Sequence, residues 1–444
     1  MKIPINSKIK EFAKLLDSPL YVVGGFVRNY LINKTISSDV DLAGCIPNDK
    51  LLLALKQSNF EVKAVYKHTN TVIFSDGRYN YEYTTFREES YGLGGGHTPQ
   101  STSCITDIKT DALRRDFKCN AVYYDIVNEQ IVDPLGGLED IKNRTLDTVD
   151  KPKKVFSHDG LRLLRLARFC GELNFTPTEE VLQGARLYAD NILDISPERI
   201  YTELLKMLES DKKYDFSDKN GHYTSLKILD KTRVLDRIIP ELTLGRNMLQ
   251  RADFHNYDVL EHSLKSVLYS PQKLRLFALL HDVGKPFCMK RDNKYHFHAE
   301  EGEKLVEKIL QRLKAPKETI RLAKFLTASH MLDMKSDMRE GKLRRFMVKY
   351  NKDLPLLLAL KQADFAACKD NTYTCPTVIK WQNIYSAMLQ DGTPFELKDL
   401  KITPQDLIEA GYSGSKIGEK LNQLFWLAVD TPKLNDRQKL LQMI

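Results

Sequence analysis

The apolar periodicity of this 444-residue chain changes near residue 147, and that change limits the folds open to it more than any other feature. Upstream, short β-rich runs at residues 20–23, 40–42, 71–74, 121–126 and 130–132 mix with helical stretches. Downstream, helical spacing dominates. Leu163, Leu166, Ala167 and Cys170 follow i, i+3, i+4, i+7, and Ser196-Pro197-Glu198 offers an N-cap with proline at the first helical position. The length exceeds one ordinary core, so several modules are expected. The pattern predicts a mixed α/β head over residues 1–146, followed by all-helical segments over 147–444. No internal repeat or low-complexity segment interrupts them. The stretch from Glu88 to Asp111, holding Gly92, Gly94, Gly95, Gly96 and Pro99, reads as a long loop, which favours a mobile functional segment over a mere connection.

Within the head, Asp39-Val-Asp41 follows Gly24-Gly25-Phe26-Val27-Arg28. Residues i and i+2 of a strand share a face, so the two carboxylates can grip hard cations through oxygen, beside a glycine turn fit for a triphosphate. A solvated turn is the bland alternative. Glu82 lies in a β-rich run whose alternation separates Tyr79, Tyr81 and Tyr83 from Asn80, Glu82 and Thr84, which makes it a third carboxylate or a solvent-facing strand residue. Arg114-Arg115-Asp116-Phe117-Lys118-Cys119-Asn120-Ala121 adds two guanidiniums suited to phosphate oxygens, with polar groups able to hold a ribose.

Asp159 and Arg162, three apart, can project from one helix face. One reading is a helix-start ion pair. The other is a protein template: the carboxylate accepts the amino group of cytosine or adenine while the guanidinium donates to an adjacent ring acceptor. Uracil and guanine would instead set oxygen against oxygen, at about 1–3 kcal/mol for each buried mispaired group. Arg165 and Arg168 extend a basic ridge that either contacts phosphate or snorkels at the surface.

Gly24-Gly25-x-Val27-Arg28, Asp39-x-Asp41, Thr84-Thr85-Phe86-Arg87, Arg114-Arg115-Asp116-x-x-x-Asn120-Ala121 and Asp133-Pro134-x-Gly136-Gly137 stand in the order seen in class II CCA-adding tRNA nucleotidyltransferases and bacterial poly(A) polymerases, and the chain resembles that family. The resemblance is sharp over roughly the first half. It implies a polymerase-β-like head with Asp39, Asp41 and Glu82 at Mg²⁺, and with Gly24, Gly25, Arg28, Arg114 and Arg115 on the triphosphate. Asp116 and Asn120 would hold the sugar. His158-Asp159-x-x-Arg162 resembles the nucleotide-selecting E-D-x-x-R motif, with His158 in place of the leading glutamate; likewise Asn29 stands where the family has Asp. CTP, ATP and the tRNA 3′ end are the implied partners. Poly(A) synthesis, CC-only or A-only addition and a catalytically idle RNA-binding module are the alternatives.

A second chemistry is spelled by His262, His281-Asp282-Val283-Gly284-Lys285, His298, His330 and Asp364, which together resemble an HD-superfamily phosphohydrolase. Imidazole and carboxylate donors suit Mn, Ni or Fe, and Asp282 is the natural bridge if two metals bind. His255 and His296 are read as structural. Residues 411–421 resemble the helical tail that follows the HD module in some CCA-adding enzymes and would hold RNA. The resemblance thus divides the helical segments into a neck and body at 147–245, an HD domain at 246–370 and a tail at 371–444.

Composition agrees with a soluble intracellular enzyme, and reduced cytosol is the simplest setting. The 67 Lys+Arg against 59 Asp+Glu leave a net +8, and Lys335, Arg339, Lys342, Arg344, Arg345 and Lys349 form one basic cluster, either a solvated helix face or an RNA contact. Seven cysteines without a C-x-x-C pair suggest neither a zinc ribbon nor a disulfide framework. No apolar leader or membrane-length stretch is present, so neither secretion nor insertion into a membrane is expected.

Overall fold

The computed structural model describes residues 2–90, 95–96, 101–214, 216–217 and 219–444. Two compact units result, Met1–Pro240 and Glu241–Ile444. The first is built on a mixed seven-stranded sheet. Its strands are β1 (Leu20–Val23), β2 (Asp39–Gly44), β3 (Glu61–Tyr66), β4 (Thr71–Ser75), β5 (Asn80–Thr85), β8 (Tyr123–Asp125) and β9 (Gln130–Val132), in the order β3-β4-β5-β2-β1-β8-β9. Only β2 and β5 run parallel; the other neighbours are antiparallel.

Alternation along β2 sorts its residues between the sheet's two faces. Val40 and Leu42 enter the larger apolar cluster with Phe12, Phe60, Phe74 and Tyr81, whereas Ala43 joins Val23, Phe86, Ala112 and Tyr123 in a smaller one. Asp39 and Asp41 share the parity of Ala43, so they stand on the less heavily covered face. The alternation read in β5 holds too: Tyr81 and Tyr83 are buried and Glu82 is exposed.

Within the stretch from Glu88 to Asp111, the described residues include two paired strand segments and the start of a helix. A separate hairpin pairs β6 (Arg87–Ser90) with β7 (Ser101–Cys104), and a helix, Ile108–Leu113, starts at Asp107, whose side chain accepts from the amides of Lys109 and Thr110. Serine and threonine at both ends of the hairpin carry strand pairing without an apolar signal. Gly92, Gly94 and Pro99 lie outside the described residues.

The helices Pro152–His158, Leu161–Leu173, Glu179–Leu187, Pro197–Leu208 and Gly221–Lys231 complete this unit. Leu163, Leu166, Ala167 and Cys170 are all buried. Proline does open the helix Pro197–Leu208, although the Ser196 side chain makes no capping bond. The second unit is wholly helical among the described residues, and none of the described helices is long and apolar enough to cross a membrane.

Candidate active site and metal centre

The first site begins with register. Asp41 pairs with Glu82 and Asp39 with Asn80 across β2 and β5, which places three carboxylates on one face of strands about 4.8 Å apart. Crowding is evident in their acidity. Burial raises the Asp41 carboxyl, Arg115, Arg165 and Arg28 lower it, and Asp39 adds repulsion; Glu82 is raised by burial and by Asp41. Like charges gathered this way fit a divalent cation held through oxygen. Gly24 makes room for them: its φ is +74°, and a Cβ there would lie 2.8 Å from Asp41 Oδ2.

A cavity of about 610 Å³ adjoins these acids. Gly24, Gly25, Arg28, Asp41, Arg114, Arg115, Asp116, Asn120, Asp159, Arg162 and Arg165 all line it, so every predicted nucleotide-binding residue converges on one space. Asp39 and Glu82 share the face of Asp41 but are not part of this lining.

Each guanidinium is held by a fixed scaffold. Arg28, at the start of the helix Gly25–Asn33, donates to Asn120 Oδ1 at 2.5 Å and to Asn29 Oδ1 at 2.8 Å, and Tyr214 also donates to that Asn29 oxygen. These partners are neutral, so Arg28 keeps its charge for an anion. Arg114 and Arg115 lean on Asp111, at 2.7 and 3.3 Å, and Arg115 donates to the Tyr123 hydroxyl at 3.1 Å. Asp116 accepts from Asn120 at 2.9 Å and from Arg165 at 2.6 Å; burial would raise its carboxyl, but Arg165, Asn120 and Arg162 hold it down at about 2.

Asp159 is not the first residue of a helix. It lies in extended backbone between Pro152–His158 and Leu161–Leu173, with φ −152° and ψ 108°, because Gly160 follows it and the second helix begins only at Leu161. Its Oδ1 accepts from the Leu161 amide at 2.8 Å, and its Oδ2 stands 3.8 Å from Arg162 Nε. Arg162 in turn donates to the carbonyls of Val155 and Arg114, at 3.3 and 2.5 Å, tying the paired residues to the arginines of the cavity. Half-buried His158 has its pKa lowered by burial and then by Arg162 and Lys154, so its imidazole is neutral near pH 7.

Two expectations are corrected. Arg168 does not snorkel at the surface: it is buried, donating to Glu203 at 2.7 Å and Glu172 at 3.1 Å, with its guanidinium 4.5 Å from the Phe169 ring. Arg344 is neither a solvated residue nor an RNA contact: it is buried and donates to Val429 O at 3.0 Å and Asp391 at 2.8 Å, anchoring Glu340–Lys349 to the tail. Compensation by nearby carboxylates and carbonyls makes both burials affordable. The motif reading missed three residues that line the cavity, Glu89, Arg199 and Lys213, and one behind it, Asp111. Glu89, 2.6 Å from Arg87 and 3.5 Å from Arg114, was signalled by the i, i+2 parity of Arg87 and Glu89, and Asp111 by its spacing to Arg114 and Arg115. Lys213 and Arg199 carry no comparable local signal.

The second unit gathers the other predicted set. The apolar helix Arg275–Leu280 is buried throughout and delivers His281-Asp282 into the interior. Gly284 allows close approach of the next helix, since a Cβ there would fall 2.1 Å from His298 O. Asp282 Oδ2 lies 3.3 Å from both His262 Nε2 and His281 Nε2, while Oδ1 lies 3.3 and 3.5 Å from His298 and His330 Nε2. Asp364 Oδ1 is 3.0 Å from His262 Nε2. His281, His298 and His330 each set Nδ1 against the carbonyl three residues back, at 2.7, 2.7 and 2.6 Å, which orients Nε2 inward. Both Asp282 oxygens and the Nε2 atoms of His262 and His281 are buried and, beyond these ionic approaches and that of Lys285, make no geometrically satisfied hydrogen bond. Such orphaned donors fit a metal-ligand set, with Asp282 facing both halves. Lys285 Nζ rests 2.5 Å from Asp282 Oδ2, and although burial would raise the Asp282 carboxyl, His281 and Lys285 hold it well below the carboxylate range. His296 is absent from these groups, whereas His255, read from sequence as structural, stands in one with His262 and Cys368.

Models of known sequence families match the segments that carry the two sites. The Poly A polymerase head domain matches residues 20–147, the probable RNA and SrmB-binding site of polymerase A matches 174–244, and the HD domain matches 257–365. The chain is 33% identical over 280 residues to an A-adding tRNA nucleotidyltransferase of Deinococcus radiodurans, covering 59% of this chain and 61% of that protein. It is 34% identical over 242 residues to a CCA-adding enzyme of a Geobacillus species, covering 54% and 55% of the two chains. The matches therefore span somewhat over half the length of these relatives. Among solved structures, the Bacillus stearothermophilus CCA-adding enzyme in complex with CTP superposes with a TM-score of 0.65 at 21% identity, over 99% of this chain and 97% of that one. The Thermotoga maritima CCA-adding enzyme complexed with tRNA gives 0.60 at 18%, over 99% and 95%; these likenesses establish a shared fold.

Proposed function

We propose that this chain is a template-independent tRNA nucleotidyltransferase that adds or repairs the 3′-terminal CCA with CTP and ATP and releases pyrophosphate. The observation that carries this reading is the convergence of Asp41, the phosphate-type arginines and the Asp159–Arg162 pair on one cavity. Arg28, Arg114 and Arg115 hold the triphosphate; Asp116 and Asn120 face the sugar. Asp159 accepts the amino group of cytosine or adenine, and Arg162 donates to the neighbouring ring acceptor. Mg²⁺ held by Asp39, Asp41 and Glu82 supplies activation of the attacking hydroxyl and neutralisation of the leaving pyrophosphate. The RNA 3′ hydroxyl is the nucleophile, so the chain's own groups position and stabilise rather than attack. Substrates and partners named for the relatives support the same assignment, and the cytoplasm is where tRNA and both nucleotides meet.

We assign residues 1–146 to the head, 147–245 to neck and body, 246–370 to the HD domain and 371–444 to a tRNA-contacting tail. In the HD domain, His262, His281, Asp282, His298, His330 and Asp364 would hold Mn, Ni or Fe, which supplies Lewis acidity for phosphoester hydrolysis. The A-adding relative in Deinococcus radiodurans favours one second reading, addition of AMP alone. Incubating tRNAs that end before, within and after CCA with each nucleoside triphosphate separately decides between them. The proposal expects CMP and then AMP on successively shorter to longer acceptors; AMP restricted to tRNA ending in CC supports the second reading, and no incorporation on any acceptor rejects both.

A further inference from the structure

His262 breaks the pattern of its fellow histidines. In His281, His298 and His330, Nδ1 is anchored by a backbone carbonyl, but His262 Nδ1 is buried without a partner, and the residue itself is wholly buried. The neighbour on its outer side is His255, whose ring stands at 88° to it with centroids 5.0 Å apart and whose own Nδ1 is likewise buried and unpaired. Cys368 completes the group: one ligand atom from each of His255, His262 and Cys368 lies within 4.8 Å of the others.

These residues are held from three directions. Cys368 follows Asp364 by one turn of the helix Leu354–Lys369, so thiol and inner carboxylate share a face. The Asn256 amide donates to Cys368 O at 2.9 Å, pinning the turn that carries His255 to that helix. Asp370 accepts from Lys265 at 2.9 Å and from the hydroxyls of Tyr257 and Tyr269, bracing the helix Val259–Leu268 at the same end. His255 and Cys368 are half-buried, which leaves an entry path from solvent.

We propose that His255, His262 and Cys368 form an outer subsite for a thiophilic cation of the zinc class, beside the inner His/Asp centre and distinct from it in donor chemistry. The inner set offers imidazole and carboxylate; only the outer set offers sulfur, which selects softer ions. Tetrahedral ligands with bonds of about 2.0–2.3 Å stand roughly 3.3–3.8 Å apart, so a group already within 4.8 Å needs to tighten by about 1 Å or less to close around an ion. Binding engages the Nδ1 lone pair of the neutral His262 imidazole, releases the Cys368 thiol proton to solvent, and anchors the His262 ring as carbonyls anchor the other three. The fourth position faces the entry path and takes water.

Cobalt(II) titration of the full chain after chelation tests this without any activity readout. The expected result is a saturable thiolate-to-cobalt charge-transfer band. Cys368→Ser abolishes the band, His255→Ala weakens cobalt affinity for it by about tenfold or more, and Cys375→Ser and His298→Ala leave it intact. Circular dichroism melts establish that the variants are folded, and His255→Asn provides a second variant at a half-buried position. Absence of the band in the unaltered chain, or its survival in Cys368→Ser, overturns the proposal.

Discussion

Asp41 is held where a carboxylate is electrostatically uncomfortable, pressed by Asp39 and Glu82 and relieved only in part by Arg115, Arg165 and Arg28. Asp41→Ala is expected to lower nucleotide incorporation about 10³-fold or more, since several kcal/mol of transition-state charge stabilisation vanish with the ligand. Because Asp41 belongs to neither apolar cluster, the thermal midpoint and tRNA binding should be retained; incorporation within tenfold of the unaltered chain would remove the head assignment. Asp140 offers a pH test of stability. Burial raises its carboxyl to about 6, with Lys118 opposing and Asp147 and Asp133 reinforcing, and its Oδ2 lacks a partner. A carboxyl with a folded pKa above its unfolded value costs stability when ionised: the cost is absent below the unfolded 3.8 and complete above about 6. Asp140→Asn should therefore stabilise the chain by roughly 1–2 kcal/mol at pH 8, with the gain fading toward pH 4 in denaturant titrations.

At the level of elements, the break between Pro152–His158 and Leu161–Leu173 is what aims Asp159 at the cavity, and Arg162 ties that break to the Arg114 carbonyl. Asp159→Ala and Arg162→Ala are expected to raise misincorporation of UMP or GMP relative to CMP and AMP by about tenfold, with triphosphate affinity changing less. Single-turnover incorporation with each nucleotide measures this, and unchanged selectivity in both variants would reduce the pair to a helix-start ion pair. The basic cluster around Glu340–Lys349 divides similarly between structure and surface. Arg344 belongs to the core contact with the tail, whereas Lys335, Arg339 and Lys342 are exposed. Neutralising those three together should lessen the salt slope of tRNA binding by about 2–3 without altering nucleotide preference. A filter-binding salt series with an unchanged slope would make them a solvated face.

For the whole molecule, the two chemistries occupy separate compact units with separate donor sets. Asp282→Ala removes the carboxylate that faces all four inner histidines, so it should abolish hydrolysis of small phosphoesters and reduce manganese or nickel retention, while CMP and AMP transfer continues. Equal hydrolysis by the variant and the unaltered chain would leave the HD fold a structural one. Loss of transfer along with hydrolysis would contradict the independence of the units.

Local sequence was enough to read the predominance of helix after residue 147, the shared face of Asp39 and Asp41, the alternation around Glu82 and the order of the His and Asp residues, because each is written within a few residues as parity, period or motif; it did not show the short strand Thr176–Pro177, which pairs with Thr145–Leu146. Tertiary structure alone decided that Glu82 lies opposite Asp41, that Arg168 and Arg344 are buried with acidic partners, that the stretch after Glu88 folds into a hairpin, and that Cys368 meets His255 and His262. These depend on strand register and on helices closing over long separations in the chain. Periodicity tells which side of an element is apolar; only packing selects the element that covers it, and with it the polar neighbours each side chain will meet.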